Sequence, residues 1–160
     1  MDESQQTVIR WQPLADMPET PCADFTLESS SLRQVTLTLK YSQIVGNDDR
    51  DLILAFSDVL AFRVHWDRDR PVVGGIIDAP RCAGGRFSGF VWPVLIVENS
   101  QWLASGDFGV SVFIAAQEIR EPWRQFTVAT LERSVDILAR GAVRADWVTA
   151  KVPRAPSVSG

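Results

Sequence analysis

The sequence predicts a mainly β protein, with α+β as the open alternative. The predicted architecture is an antiparallel sheet, a sandwich or a partly closed barrel with one or two short helices. Three observations support this: residues 34–41 alternate between apolar and polar side chains, residues 52–66 contain two apolar runs, and residues 126–139 have the pattern of a hairpin. Strand patterns recur along the chain, whereas helix patterns are weak throughout.

The first 33 residues are predicted to form an irregular N-terminal arm. Pro13, Pro18 and Pro21 stand among polar residues, and prolines at this density interrupt regular elements. The arm also contains large apolar side chains, through which we expect it to pack on the domain. These are Trp11, Leu14 and Phe25.

Residues 34–41 form the clearest predicted strand. Val35, Leu37, Leu39 and Tyr41 alternate with polar residues over these positions. Since successive side chains of a strand point to opposite faces, this period of two predicts one buried face. A turn is predicted at the Gly-Asn-Asp-Asp sequence of residues 46–49.

Residues 52–56 and 59–66 are predicted as the next two strands, separated by Ser57 and Asp58. In the second run one face carries only apolar side chains, which are Leu60, Phe62, Val64 and Trp66. The opposite face carries Val59, Ala61, Arg63 and His65. We therefore expect the first face to be fully buried and the second face to be mixed.

The next segment is less regular. Residues 72–77 fit either a short glycine-kinked strand or the start of a helix, and residues 81–89 are predicted to be a loop with three glycines. Residues 90–98 have the β-branched and aromatic content of a strand, in which Pro93 favours an edge position or a bulge.

The stretch 103–122 is open between strand and helix. Residues 110–116 resemble a strand, but Ala-Ala-Gln-Glu at 115–118 fits a helix equally well. A short helix is expected within residues 67–80 or 113–122.

Residues 126–130 and 134–139 are predicted to pair as a hairpin around Leu131-Glu132-Arg133. Together these elements predict one globular domain over residues 1–150. The proline- and serine-containing tail, residues 151–160, is expected to be mobile.

Composition and charge exclude several classes of function. The chain has 160 residues, of which 46% are apolar and 22% charged, as in a folded domain with a real core. A formal net charge of −4 argues against a nucleic-acid partner, because affinity for phosphates comes mostly from clustered lysine and arginine. No apolar run approaches the roughly twenty residues that cross a bilayer, so no membrane association is expected.

The N-terminus has no basic region followed by an apolar stretch, which predicts no secretory signal and a cytoplasmic location. In that compartment the two cysteines, Cys22 and Cys82, are expected to be reduced thiols. A disulfide between them stays open as an alternative.

No catalytic residue, metal site or cofactor is predicted. His65 is the single histidine, and we interpret it as a partly buried structural residue. Cys22, Cys82 and His65 come from three distant segments without a close-spaced pair of metal ligands. The glycines of residues 84–89 lack the spacing and the following lysine of a phosphate-binding loop.

Five residues are the candidates for a contact surface. Trp102 and Trp123 flank the poorly patterned stretch 103–122, and tryptophan is favoured in interface hot spots. Arg63 and His65 share the mixed face of a predicted strand, and Arg86 lies in the glycine loop. Arginine suits interfaces because its planar fork stacks on rings and pairs with carboxylates.

Four segments of the chain share a pattern with a known group of proteins: residues 58–63, 97–103, 125–130 and 134–139. Together they resemble small uncharacterised bacterial proteins that occur as immunity-like proteins of polymorphic toxin systems. In those proteins a Ser-x-Trp-Leu segment precedes a strand that often begins His-Tyr, and a partner similar to Val-Asp-Val-Leu-Ala closes the sheet. Here Gln125-Phe126 stands in place of His-Tyr, and the resemblance spans about a third of the chain.

The resemblance implies a protein that binds and blocks a toxin by surface complementarity, without chemistry. A mildly acidic chain suits a basic toxin through electrostatic steering. We therefore expect a non-catalytic protein-binding function of the immunity type. Two alternatives stay open: a barrel-like protein that holds a small apolar ligand, and, as the weakest, a hydrolase that uses carboxylates. The oligomeric state is open as well.

Overall fold

A computed structural model describes residues 6–31, 33–44, 49–66, 79–106 and 122–150. Within these residues, nine strands form two antiparallel sheets, and the sheets are not closed into a barrel. The prediction of a mainly β fold is therefore confirmed.

The larger sheet has five strands. In spatial order they are β1 (Thr7–Arg10), β6 (Val94–Glu98), β7 (Arg124–Ala129), β8 (Arg133–Ala139) and β5 (Val59–Trp66). The smaller sheet has four strands, which are β2 (Phe25–Ser31), β3 (Gln34–Leu39), β4 (Arg50–Phe56) and β9 (Val143–Thr149). One short helix, α1 (Gln101–Ser105), follows β6, and 3-10 turns lie at Tyr41–Gln43 and Gly85–Phe87.

The core lies between the two sheets. The ring of Phe56 on β4 is 5.3 Å from the ring of Phe126 on β7, and Trp11 packs against Phe126 at 4.9 Å. Around these rings, apolar residues from both sheets form one buried cluster. The side of the five-stranded sheet that carries Phe126 is therefore its inner face, and the opposite side is its outer face.

Two of the sequence predictions match the structure closely. Residues Val35, Leu37 and Leu39 of β3 are buried together with Tyr41, as the alternation predicts. Strands β7 and β8 pair as the predicted hairpin, with Phe126 opposite Ile137. In β8 every residue from Ser134 to Ala139 is buried, because β5 and β7 flank this strand and both of its faces are covered.

The N-terminal arm is less irregular than the sequence predicts. It contributes β1 and β2, since the prolines are confined to the segment between these two strands. Phe25 is fully buried at the start of β2, and Trp11 and Leu14 pack partly buried against the core.

Strand β5 differs most from its prediction. Its apolar face is exposed: 43% of Phe62, 42% of Val64 and 67% of Trp66 are accessible to solvent. The prediction of a fully buried face is thus wrong, for a geometric reason. β5 is the end strand of the five-stranded sheet, so another strand flanks it only on the side of β8.

The segment around Pro93 also differs from its prediction. β6 lies between β1 and β7 rather than at an edge, and it begins at Val94, directly after the proline. Pro93 therefore marks the start of the strand, where its missing N–H does no harm. Strand β9 was not among the predicted elements.

Several predictions concern residues outside those described: the turn, which falls on residues 46–48, the strand or helix within residues 67–78 and 107–121, and the tail 151–160. Just before the segment 107–121, residues 103–105 are helical as the end of α1. No helix in the described part of the chain is long and apolar enough to cross a membrane.

Candidate functional site

The candidate site lies on the outer face of the five-stranded sheet, where β5, β8 and β7 run side by side. Arg63 on β5 is directly opposite Asp136 on β8, and Asp136 is directly opposite Thr127 on β7. Residues opposite each other in an antiparallel pair share a face, so these three side chains form a row across the sheet. His65, two residues beyond Arg63, lies on the same face.

Asp136 is the centre of this row. Its Oδ2 accepts hydrogen bonds from Arg63 Nε at 2.9 Å and from His65 Nε2 at 3.1 Å, and its Oδ1 accepts one from Thr127 Oγ1 at 2.6 Å. The side chain is only 2% exposed. A carboxylate at such depth is stable only when paired and hydrogen-bonded, and here three donors from two strands meet that need.

The geometry also assigns a tautomer to His65. The carboxylate of Asp136 accepts a hydrogen bond, so Nε2 of the imidazole carries the proton. Among the described residues, His65 has this carboxylate partner but no hydroxyl or thiol within hydrogen-bonding distance. The pair therefore fixes the orientation of the imidazole ring.

Trp102 of α1 packs against the same row. Ser100 caps the helix, because its hydroxyl accepts a hydrogen bond from the Leu103 amide at 3.0 Å, and Gly106 ends it in the left-handed region at φ 69°. The Trp102 ring lies 4.0 Å from the guanidinium carbon of Arg63. We call Arg63, His65, Thr127, Asp136 and Trp102 the Arg63 cluster.

A second polar contact ties α1 to the sheet. Ser100 Oγ hydrogen-bonds the amide oxygen of Gln125 on β7, and Gln125 is fully buried. The Nε2 atom of this amide has no hydrogen-bond partner among the described residues. Because the alternative orientation of the amide would leave its oxygen unpaired instead, one unsatisfied polar atom remains in either case.

The inner face of β5 carries the exposed residues Phe62, Val64 and Trp66, which we call the apolar row. Phe62 lies opposite Ile137, and Val64 opposite Val135, so the row continues the inner face outward to the end of the sheet. At its far end the guanidinium of Arg133 lies 6.0 Å from the Trp66 ring and 4.3 Å from the Phe25 ring.

Three of the five residues predicted from sequence come together: Arg63, His65 and Trp102 are all in the Arg63 cluster. Trp123 lies elsewhere, with its ring 4.3 Å from the guanidinium of Arg140, which pairs with Asp58 at 2.6 Å. Arg86 is exposed on a 3-10 turn, 5.3 Å from the Phe87 ring.

Asp136 was not among the predicted residues. The sequence contains a sign of it, because Asp136 is the only charged residue in the buried run from Ser134 to Ala139. A lone carboxylate within a buried strand needs a cationic or donor partner. The identity of that partner depends on the register between β5 and β8, two strands about seventy residues apart in the sequence.

The two cysteines are free and buried. Burial raises the pKa of Cys82 to about 11, and it raises the pKa of Cys22 well above the ordinary thiol range. Both are therefore thiols at neutral pH, and a thiolate nucleophile is not available from either side chain. In the described part of the chain, no group of three histidine, cysteine or acidic side chains is arranged to hold a metal ion.

Comparison of the chain with protein-family models, with curated proteins and with solved structures finds no match.

Proposed function

We propose that this chain is a non-catalytic protein-binding protein of the immunity type, which blocks a bacterial toxin, and that the Arg63 cluster is part of its contact surface. The observation that supports this most directly is that Arg63 is held in place and still partly exposed. Its guanidinium is held between the Trp102 ring and the Asp136 carboxylate, yet 34% of the side chain stays exposed.

A fixed, exposed arginine beside a tryptophan is suited to protein recognition. Arginine and tryptophan are enriched among the residues that contribute most to binding. Free arginine side chains lose rotamer entropy when they bind, whereas Arg63 is already ordered by two contacts. Arg63 bonds Asp136 through Nε, and its two terminal nitrogens are donors that could bind a carboxylate or carbonyl oxygen of a partner.

The resemblance supports the same surface. Its four segments contain Arg63 on β5, Trp102 on α1, Thr127 on β7 and Asp136 on β8. These segments are far apart in sequence, but each contributes one side chain to the Arg63 cluster. If the resemblance holds, its segments meet at one place on the outer face of the five-stranded sheet, which supports choosing this face as the contact surface.

The competing functions have weaker support. A barrel-type ligand site needs an enclosed interior, whereas the two sheets stay open and aromatic side chains fill the space between them. A hydrolase needs an accessible pair of carboxylates, whereas Asp136 is buried and hydrogen-bonded on both oxygens.

The first test of the proposal uses the product of the gene adjacent to the one that encodes this chain. Co-expression of the two proteins is expected to restore growth that the neighbouring product alone prevents, and the purified proteins are expected to bind in calorimetry. Arg63→Lys retains the charge but loses the stacking fork, so it should weaken binding by about tenfold, or about 1.4 kcal/mol.

The matched control is Arg144→Lys. Arg144 is 83% exposed on β9 and pairs only with its neighbour Asp146, so this variant should bind like the unsubstituted chain. Absence of both growth protection and binding would overturn the immunity proposal. The proposal that the chain is non-catalytic would be overturned if the chain turned over a substrate and one carboxylate substitution abolished this activity.

A further inference from the structure

The four strands at the sheet edges of the described structure differ in how they discourage pairing with another chain. β1 has only four residues, and β2 is bulged between Ser29 and Ser31. β9 carries the charged residues Arg144 and Asp146 at alternate positions. Short strands, bulges and charges are the devices by which proteins protect sheet edges from association.

Within the part of the chain that the structure describes, β5 has none of these devices over most of its length. It is the longest strand described, and its bulge lies at the beginning, between Val59 and Ala61, so residues 61–66 are regular. Its two polar side chains, Arg63 and His65, are bonded to Asp136 within the same chain. The exposed side chains that remain along this edge are the apolar row.

We propose that β5 pairs antiparallel with β5 of a second copy of this chain, around a two-fold axis at Val64. In this register Val64 faces Val64 of the second copy, and Phe62 faces Trp66. The two five-stranded sheets then join into one continuous sheet, and every member of the apolar row contacts another member. Cross-strand pairs of aromatic and β-branched residues are among the most favourable in sheets.

The charges on the outer face fit the same pairing. Arg63 of one copy comes to lie opposite His65 of the other. In each copy, Arg63 and His65 both bond to Asp136 of the same chain. The paired edge therefore brings together two Asp136 carboxylates and two Arg63 guanidinium groups, one of each from either copy. No unpaired charge is buried, which is the condition for such an interface to form without a large electrostatic cost.

The exposed area indicates how strong the pairing is. With full aromatic side-chain areas of roughly 150–250 Å², the apolar row exposes on the order of 300 Å² per copy. A stable interface buries about 800 Å² per partner, which is more than the apolar row exposes. The main chain of β5 would add some buried area, but not enough to reach that value. We therefore expect a reversible, concentration-dependent dimer rather than an obligate one.

This pairing would also double the surface assigned to toxin binding. It places the two Arg63 clusters next to each other on the joined outer face and leaves both uncovered. The dimer does not depend on the proposed function, because it uses the strand edge and the inner face of β5.

Sedimentation velocity from low micromolar to millimolar concentration tests the proposal. The unsubstituted chain should shift from monomer to dimer across this range. Val64→Lys places two ammonium groups together at the axis and should leave the chain monomeric throughout. Thr149→Lys adds the same charge at the exposed edge strand β9, so its dimerisation should be unchanged.

Cysteine crosslinking tests the register. Cα atoms of directly opposite residues are about 4.5–5.5 Å apart, within the range that a disulfide bridges, so Val64→Cys should crosslink two copies under mild oxidation. Phe62→Cys should not, because the two substituted residues would be about 13 Å apart along the strands. Cys22 and Cys82 are buried and do not interfere.

Three outcomes would overturn the proposal. The first is a chain that stays monomeric at every concentration, and the second is a dimer that Val64→Lys leaves intact. The third is crosslinking by Phe62→Cys but not by Val64→Cys, which would show a different register. If Val64→Lys fails to fold, the cysteine pair still decides the question.

Discussion

The two faces of β5 reverse the usual relation between polarity and burial. On the outer face, Arg63 and His65 are held against a buried carboxylate beneath Trp102. On the inner face, Phe62, Val64 and Trp66 are open to solvent although they continue the face that forms the core. The comparison shows that the neighbouring layer, and not the side chain alone, decides which face of an edge strand is buried.

The largest effect is expected on the outer face. Asp136→Ala removes the shared acceptor and leaves Arg63, His65 and Thr127 without it, so the free energy of unfolding should fall by about 3–5 kcal/mol. Urea denaturation monitored by tryptophan fluorescence measures this change. Asp136→Asn, which keeps the shape and one acceptor oxygen, should cost less. A loss below about 1 kcal/mol for the alanine variant would mean that the buried cluster contributes little.

An intermediate effect is expected where α1 joins the outer face. Ser100→Ala removes the helix cap and the hydrogen bond to Gln125, so we expect the free energy of unfolding to fall by about 1–2 kcal/mol. The same denaturation experiment measures it, and Gln101→Ala, at the exposed first position of the helix, is the control. An equal loss in both variants would contradict the role of the Ser100 hydroxyl.

The smallest effect is expected on the inner face. Val64→Thr replaces one methyl group by a hydroxyl on a β-branched side chain that is 42% exposed in the single chain, so the hydroxyl can reach water. At a dilution that keeps the protein monomeric, the free energy of unfolding should therefore change by less than about 0.5 kcal/mol. A loss of several kcal/mol would show that another part of the same chain covers the apolar row.

Much of the fold was predictable because local patterns specify strands. The alternation of residues 34–41 and the hairpin around residues 131–133 were predicted from neighbouring residues alone. The same reasoning could have found β9, since Val143, Ala145 and Trp147 alternate with polar residues and point toward the core. β1 has four residues, too few for a period of two to stand out.

The candidate site was predictable only in part. Arg63 and His65 share a face by strand periodicity alone, so that part followed from the sequence. Their meeting with Asp136 and Trp102 depends on the pairing of β5 with β8 and on the packing of α1, which are contacts between distant segments. The exposure of the apolar row depends on the position of β5 at the end of the five-stranded sheet, which local periodicity does not contain.

The carboxylate shared by three donors has a consequence for how the sequence can change over time. A substitution at Asp136 leaves Arg63 and His65 unsatisfied unless they change too, so these positions should vary together among descendants of this chain. Phe62, Val64 and Trp66 form no hydrogen bond of this kind with another described residue. Substitutions at these three positions should instead depend on what binds the inner face of β5. The two faces of this strand would therefore be under two different selective pressures.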